Sequence, residues 1–389
     1  MSRDPSDRGQ DERYVDAAPY DPGASLRELE RKDLDAPNRV LVWRKFKTHR
    51  LGLISGAFLL FCYLMLPFVG FVAPYGPNDR DAEHIYSPPQ GVKLFHEGRF
   101  LGPFIYPMTS EADLETFQWV VKPDYDTPRQ LRFFCEGSQY RLAGLIPADT
   151  HLVCAPEGAT LFLWGSDRLG RDIFSRILFG AQLSLTVGLI GITVSFVLGI
   201  FFGSVAGYFG GKIDWVINRA IEILRSLPEL PLWLALSAAV PSNWSPVAVF
   251  FIISIILGIL DWPGLARSVR AKFLSLREEE YVRAAEMMGA SSGRVIRKHL
   301  LPNFMSHLIA SAALSIPAMI LGETALSFLG LGLRAPAVSW GVMLNDAQNL
   351  ANIEIYPWTA IPMLPIIVVV LAFNFLGDGL RDSLDPYQQ

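Results

Sequence analysis

Few residues in this chain are spaced for catalysis. The 6 histidines are scattered and form no H-E-x-x-H set, and no metal-type cysteine or histidine pairs occur. Residues 289–293, Gly-Ala-Ser-Ser-Gly, spell the G-x-S-x-G of a hydrolase elbow. That elbow needs a preceding strand and an α/β sheet; a polar helical stretch precedes it here, and chance accounts for the match. The run 207–213, Gly-Tyr-Phe-Gly-Gly-Lys-Ile, lacks both the first glycine and the Ser/Thr of a phosphate loop. What remains is one carboxylate in an apolar stretch, Glu229 between Pro228 and Pro231, and a pair of cysteines, Cys135 and Cys154.

The chain that must position them has 389 residues, 51% hydrophobic and 19% charged, with a mean hydropathy of +0.28. Soluble domains carry about a quarter charged residues and rarely average above zero. The net charge of −4 implies no basic surface for nucleic acid, and 3 cysteines are too few for a disulfide scaffold. Disorder, collagen-like repeats and a small secreted fold are excluded. A polytopic, all-α membrane protein remains.

A bilayer core of about 30 Å needs about 20 apolar residues of helix. Six runs are expected to span it: 51–74, 183–208, 215–240, 246–260, 304–329 and 358–376. The fourth is expected to stop at Asp261, Trp262 and Pro263. Their Gly and Pro interruptions are tolerated where neighbouring helices satisfy the freed backbone groups. The first run lacks a small-residue cleavage pattern and reads as an anchor, not a signal peptide. The expected segments are a disordered cytoplasmic tail (1–40), an N-terminal membrane helix (41–74), an extracytoplasmic insert (75–165) and a five-helix core (166–386).

Short loops set the orientation. Residues 266–303 carry Arg267, Arg270, Lys272, Arg277, Arg283, Arg294, Arg297 and Lys298; the turn after the second run carries Lys212, and 241–245 carries no charge. Both termini and the 266–303 loop are therefore expected in the cytoplasm. The insert is then outside, too long for a structureless connection. Its short aromatic and β-branched runs (118–121, 131–134, 151–153, 161–164) suit a β-rich element between helices 1 and 2. Cys135 and Cys154 lie on that oxidising side. Two readings stand: a disulfide, worth ~3 kcal/mol by chain entropy, or two free thiols. Cys62, in the first run, reads as a packing residue.

Glu229 lies about fourteen residues, or ~21 Å, into the third run. A carboxylate at that depth is costly and faces a cavity or a partner. Three readings are open: it lines a translocation path, it pairs with Arg225 at i,i+4, or the span is shifted and Glu229 sits nearer an interface. Glu323 reads as an interfacial structural charge, and Trp215, Trp233, Trp340 and Trp358 as interface belts.

Residues 276–302 divide at 289–292 into two helical halves. Residues 277–288 hold helix formers with acidic residues early. Gly289 is a natural left-handed stop, and Ser291 or Ser292 can cap a second half ending before Pro302. Ala284, Ala285, Gly289 and Ala290 would let a partner approach closely, and Met287 and Met288 add an adaptable apolar surface. The plainer reading is a basic loop beside anionic lipid.

The pattern Ala284-Ala285-x3-Gly289-x11-Leu301-Pro302 resembles the "EAA" loop of ATP-binding-cassette importer permeases, with Arg283 at the position of the leading Glu and His299 in place of an apolar residue. Residues 165–176 (GSDRLGRDIFSR), 323–332 (ETALSFLGLG), 339–344 (SWGVML) and 376–386 (LGDGLRDSLDP) are similar to C-type permeases of dipeptide, oligopeptide and nickel importers. The resemblance runs from about Arg39 to Pro386, except for the insert, which is longer than that family implies. It implies a transport subunit, not an enzyme, in a bacterial plasma membrane. Its coupling residues would be Ala284, Ala285, Met287, Met288, Gly289, Ala290 and Ser291, docked on a cytoplasmic ATPase. The implied partners are a homologous second permease, two ATPases, an extracytoplasmic binding protein and membrane lipid, with no nucleic acid. ATP and Mg would sit on the partner subunits and no cofactor on this chain. The implied substrates are peptides, with oligosaccharides or nickel chelates as alternatives. An ion-coupled transporter would need paired inverted repeats and several mid-depth carboxylates, where only Glu229 qualifies. An intramembrane hydrolase would need a convergent Ser/His or Asp pair, and none is visible.

Overall fold

The computed structural model describes residues 38–113, 118–241 and 243–384. Residues up to 48 form one unit and those from 49 another. In the first, helix α1 (Asn38–Thr48) ends in Lys45 and Lys47, cations that suit a helix C-terminus. The expected tail lies outside the described residues, apart from its last three, which open α1.

The second unit starts at His49, whose Nδ1 accepts the Gly52 N–H at 3.0 Å and caps α2 (Arg50–Met65). A 3-10 turn at Leu66–Phe68, around Pro67, leads into α3 (Val69–Val72). Seven short strands follow: β1 (Lys93–His96), β2 (Arg99–Ile105), β3 (Met108–Asp113), β4 (Gln118–Pro123), β5 (Arg129–Gln130), β6 (Arg132–Leu142) and β7 (Ile146–Cys154). They pair antiparallel as three small sheets, β1-β2-β5, β3-β4 and β6-β7. Cys135 on β6 and Cys154 on β7 are joined by a disulfide. Residues 161–164 are not a strand. The Leu161 N–H is bound by the Tyr75 hydroxyl and the Phe162 N–H by Gln90 Oε1, so side chains use the groups a ladder would need.

The helical part comprises α4 (Ile173–Phe209), α5 (Gly211–Ser226), α6 (Glu229–Ala238), α7 (Pro246–Leu276), α8 (Glu280–Met287), α9 (Ser292–Val295), a π turn (Ile296–Leu300), α10 (Leu301–Phe328), α11 (Trp340–Asp346), α12 (Leu350–Ile355) and, after a 3-10 turn at Pro357–Ala360, α13 (Met363–Leu384). By length and composition, 5 helices of the described chain can cross a membrane: Arg50–Val72, Ile173–Phe209, Pro246–Leu276, Ser292–Phe328 and Pro357–Leu384.

Two expectations need correction. The run 215–240 is not one helix. Pro228 lacks an N–H and disfavours helical backbone at Leu227, which is extended (φ −90, ψ 136), so α5 ends there and α6 starts anew. Alone, α6 has 10 residues, too few to span. Conversely, Asp261-Trp262-Pro263 does not stop the fourth run, because α7 continues through Pro263 for 31 residues. The packing of α4 on α7 stabilises that continuation. Gly191, Ser195, Gly199, Gly203 and Gly207 repeat every fourth residue on α4 and let α7 close in. A Cβ on Gly203 would stand 2.6 Å from the Ala266 carbonyl oxygen. A core of Leu59, Leu185, Ile192, Ile316, Ile320, Trp340, Ile366 and Phe373 binds α2, α4, α10, α11 and α13 together.

Candidate functional site

The loop between α7 and α9 is built outward from a buried base. Val282, Val295 and Leu300 are each 0% exposed and pack with Val269 and Phe273 of α7 and with Phe304 and Leu308 of α10. Ala285 is buried beside them and Ala284 half-buried. Helix α8 ends in a Schellman motif: the Ala290 N–H bonds the Ala285 carbonyl at 3.1 Å and the Gly289 N–H the Glu286 carbonyl at 2.9 Å. That closure requires the φ of +83 that Gly289 adopts, in open space on its outer side. The Tyr208 hydroxyl donates to Glu286 Oε1 at 2.7 Å, and Asn303 Nδ2 donates to the Tyr281 hydroxyl at 2.9 Å. Hydrogen bonds from Arg283 and Arg277 hold the Glu278 carboxyl below the usual carboxylate range.

On this braced base Met287 and Met288 are 83% and 82% exposed, with Gly289 and Ser291 exposed beside them. Two details differ from expectation. The first helical half starts at Glu280, because Arg277 still caps α7. The second half does not end before Pro302. A π turn comes just before the proline, the Leu301 N–H bonding the Ile296 carbonyl, and this local adjustment carries the chain through Pro302, so α9, the π turn and α10 run on as Ser292–Phe328. Ser291 precedes α9 without a side-chain cap.

Glu229 is the first residue of α6 and is exposed. Arg225 lies on α5, beyond the break at Pro228, so the i,i+4 pairing on one helix is not formed. Instead both charges act on Asp261 of α7, which accepts a hydrogen bond from Ser195 Oγ at 2.8 Å. The Arg225 guanidinium lies against Gly264, one turn further along α7. Asp261 was hidden in the sequence because it read as the end of a span.

Two polar clusters occupy the opposite end. Glu323 is 0% exposed, a correction to the interfacial charge expected. Its Oε1 accepts from Ser327 at 2.7 Å and Ser339 at 2.8 Å, and its Oε2 from Ser184 at 3.5 Å. Each serine oxygen in turn accepts a backbone N–H, from Leu333, Val342 and Trp340 respectively. Nearby, Arg171 and Arg176 are buried between Asp167 and Asp346; Arg171 lies 2.7 Å from the first and 2.8 Å from the second. Asp172 caps α4 by accepting the Ser175 N–H at 2.8 Å. Burial pushes its carboxyl up to about 7. The segment 165–176 is thus an ion-locked cap on α4.

None of these clusters pairs a nucleophile with a base, and no group of metal-type ligands exists among the described residues. A cleft of about 790 Å³ is mostly apolar, with Phe196, Val197, Phe201 and Ile296 in its lining. The arrangement is one of packed helices, a rigid exposed knuckle and buried locks.

Residues 199–388 match the family described as a binding-protein-dependent transport system inner membrane component. Residues 39–89 match the N-terminal membrane domain of oligopeptide transport permease C. The dipeptide permease DppC of Bacillus subtilis is 43% identical over 225 residues, covering 57% of this chain and 68% of that protein. The chain belongs to this permease family. The oligopeptide permease OppC of Haemophilus influenzae is 40% identical over 233 residues, 60% of this chain and 72% of that one. DppC of Alkalihalophilus pseudofirmus is 42% identical over 233 residues, 59% and 74%. The permease is accordingly a multi-pass membrane protein and a transport subunit, not an enzyme. Membership implies partnership with an ATPase, further permease subunits and a binding protein. Between the two family matches lie residues 90–198, which hold every strand of the described chain.

Proposed function

We propose that this permease forms half of the translocation path of an ATP-driven peptide importer, and that the loop around Met287–Gly289 receives the push of a cytoplasmic ATPase. The observation that carries this reading is the knuckle: two methionines displayed on a helix whose other face is locked into the ends of two spans. Such a surface can move as one body with those spans. The names of the relatives, dipeptide and oligopeptide permeases, support peptides as cargo; oligosaccharides or nickel chelates are the alternative cargo for the same machinery. ATP and Mg belong to the ATPase subunits, two per complex, and this chain holds no cofactor. A homologous permease supplies the other half of the path as a heterodimer, and a binding protein delivers the solute.

Basic residues around the knuckle support a cytoplasmic position for it, with both termini on that side of a bacterial plasma membrane. The chain then crosses six times, the sixth crossing made jointly by α5 and α6. Exposed charges at that depth, Arg225 and Glu229, would be costly against lipid. They face the path, and Glu229 meets cationic or hydroxyl-bearing parts of the solute.

Gly289→Trp places a large side chain on a backbone that needs positive φ. The tagged variant should fail to co-purify the ATPase that accompanies the parent chain. A complex that survives this change would move the docking site elsewhere. An assembled particle that carries solute on an ion gradient without any ATPase would end the importer reading.

A further inference from the structure

We propose that the turn of the β6–β7 hairpin, residues 142–146, is a lipid anchor seated at the headgroup–acyl boundary of the outer leaflet. The inference rests on the reading that the strands lie outside the cell.

The hairpin is fastened to the outer end of the first span. Its Ala143 N–H donates to the Pro67 carbonyl at 3.0 Å. The Tyr140 ring fills the space over Gly70, where a Cβ would stand 2.3 Å from it. Phe134 and Phe71 rings meet at 6.2 Å, and His151 Nδ1 lies 2.6 Å from the Ala73 carbonyl oxygen.

Depth follows from a neighbouring bond. Gln182 Nε2 donates to the Leu66 carbonyl at 2.6 Å, so the turn stands level with Gln182 on α4. Gln182 is six residues past buried Arg176, roughly 9 Å further into the membrane along the helix. At that level α2 and the 3-10 turn present Leu64 and Phe68 outward, 61% and 47% exposed. On the turn itself Leu145 (82%) and Ile146 (61%) are likewise exposed. Phe134 adds a further 69%-exposed ring on the same hairpin.

The backbone of the turn is also prepared for lipid, where an unpaired N–H is costly. The N–H groups of Ala143, Gly144 and Leu145 bond the carbonyls of Pro67, Arg141 and Leu142. Ile146 pairs with Leu142 in the ladder, and Pro147 has no N–H to satisfy. Arg141, exposed at the base of the turn, suits headgroup phosphates. A turn meeting water would need neither the closed backbone nor two adjacent bare aliphatic side chains.

The test uses the full chain in nanodiscs of phosphatidylcholine and phosphatidylglycerol. With Cys62→Ser removing the free thiol, Leu145→Cys and, separately, Ile146→Cys are labelled with an environment-sensitive dye. Seating in the interface predicts blue-shifted emission and loss of about half or more of the intensity to shallow doxyl-labelled lipid, with little quenching by iodide. Emission typical of water with strong iodide quenching overturns the proposal. A dye reached by neither quencher also overturns it, since protein would then cover the turn. Sidedness is read separately from Asp126→Cys, which an impermeant maleimide should label in right-side-out spheroplasts. Labelling only after lysis would remove the outside reading itself, while leaving the lipid measurement interpretable.

Discussion

Glu323 shows what a residue's type cannot disclose. Its position near the end of a span suggested a charge in the interface, yet it is a buried hub whose serines come from segments up to 139 positions away. Only tertiary structure brings Ser184 and Ser339 to it. Removing the carboxyl leaves three buried hydroxyls without their acceptor, each an unsatisfied group worth about 1–3 kcal/mol and not additive. Glu323→Ala should therefore lower stability by on the order of 3 kcal/mol. Glu323→Gln, which keeps an oxygen for Ser327 and Ser339, should unfold at a higher temperature than Ala in detergent; the reverse order would show that the hub is not held by these bonds. Asp172 behaves differently. Its folded carboxyl titrates at about 7, whereas an aspartate in the unfolded chain titrates near ~3.9. Between those values the folded state keeps a proton that the unfolded state has released, so stability falls as pH rises through this window. Asp172→Asn retains an oxygen for the Ser175 N–H and should flatten the fall in melting temperature between about pH 4 and 7. If both proteins decline in parallel, another group owns the effect.

At the scale of elements, hydropathy found five of the six expected spans and misjudged Pro228 and Pro263. Periodicity weighs side chains, whereas the effect of a proline depends on whether its neighbours repair the backbone. Pro228 follows an amphipathic helix and lies in an exposed stretch, so the helix breaks there. Pro263 is buried among packed spans, so the helix passes through. The small residues on α4 were visible as charge-free sequence, but their fourfold spacing gains meaning only once α7 lies against them. Gly203→Leu should be far more damaging than its apolar character suggests, because the first added carbon already collides with the α7 backbone. Overpacking of this kind typically costs about 1–3 kcal/mol and more where backbone must move. The measurement is the yield and melting temperature of the purified variant against Val197→Leu, a change on the 62%-exposed face of the same helix. Equal behaviour of the two would deny the close contact.

For the whole molecule, the loop was legible because its chemistry is local: a helix former run, a glycine stop and two methionines within a dozen positions. What that loop moves was not legible, since Pro302 read as a stop where the structure has one rod from Ser292 to Phe328. At 37 residues the rod is ~55 Å long. One end continues from the methionine knuckle, and the opposite end carries Glu323, tied to α4 and α11. In the proposed importer a push at the knuckle would therefore reach the locks at the far end without any titrating relay, provided the π turn at Ile296–Leu300 stays rigid. Leu300, 0% exposed and packed with Val282 and Val295, stiffens that turn. Leu300→Gly removes the packing and adds backbone freedom, while Met287 and Met288 remain in place for docking. The variant should still bring down its ATPase, yet lose most of its solute uptake when the two are measured on the same preparation. Uptake at the parent rate with docking intact would mean that motion reaches the far end by another route, through α7 and the small-residue seam instead.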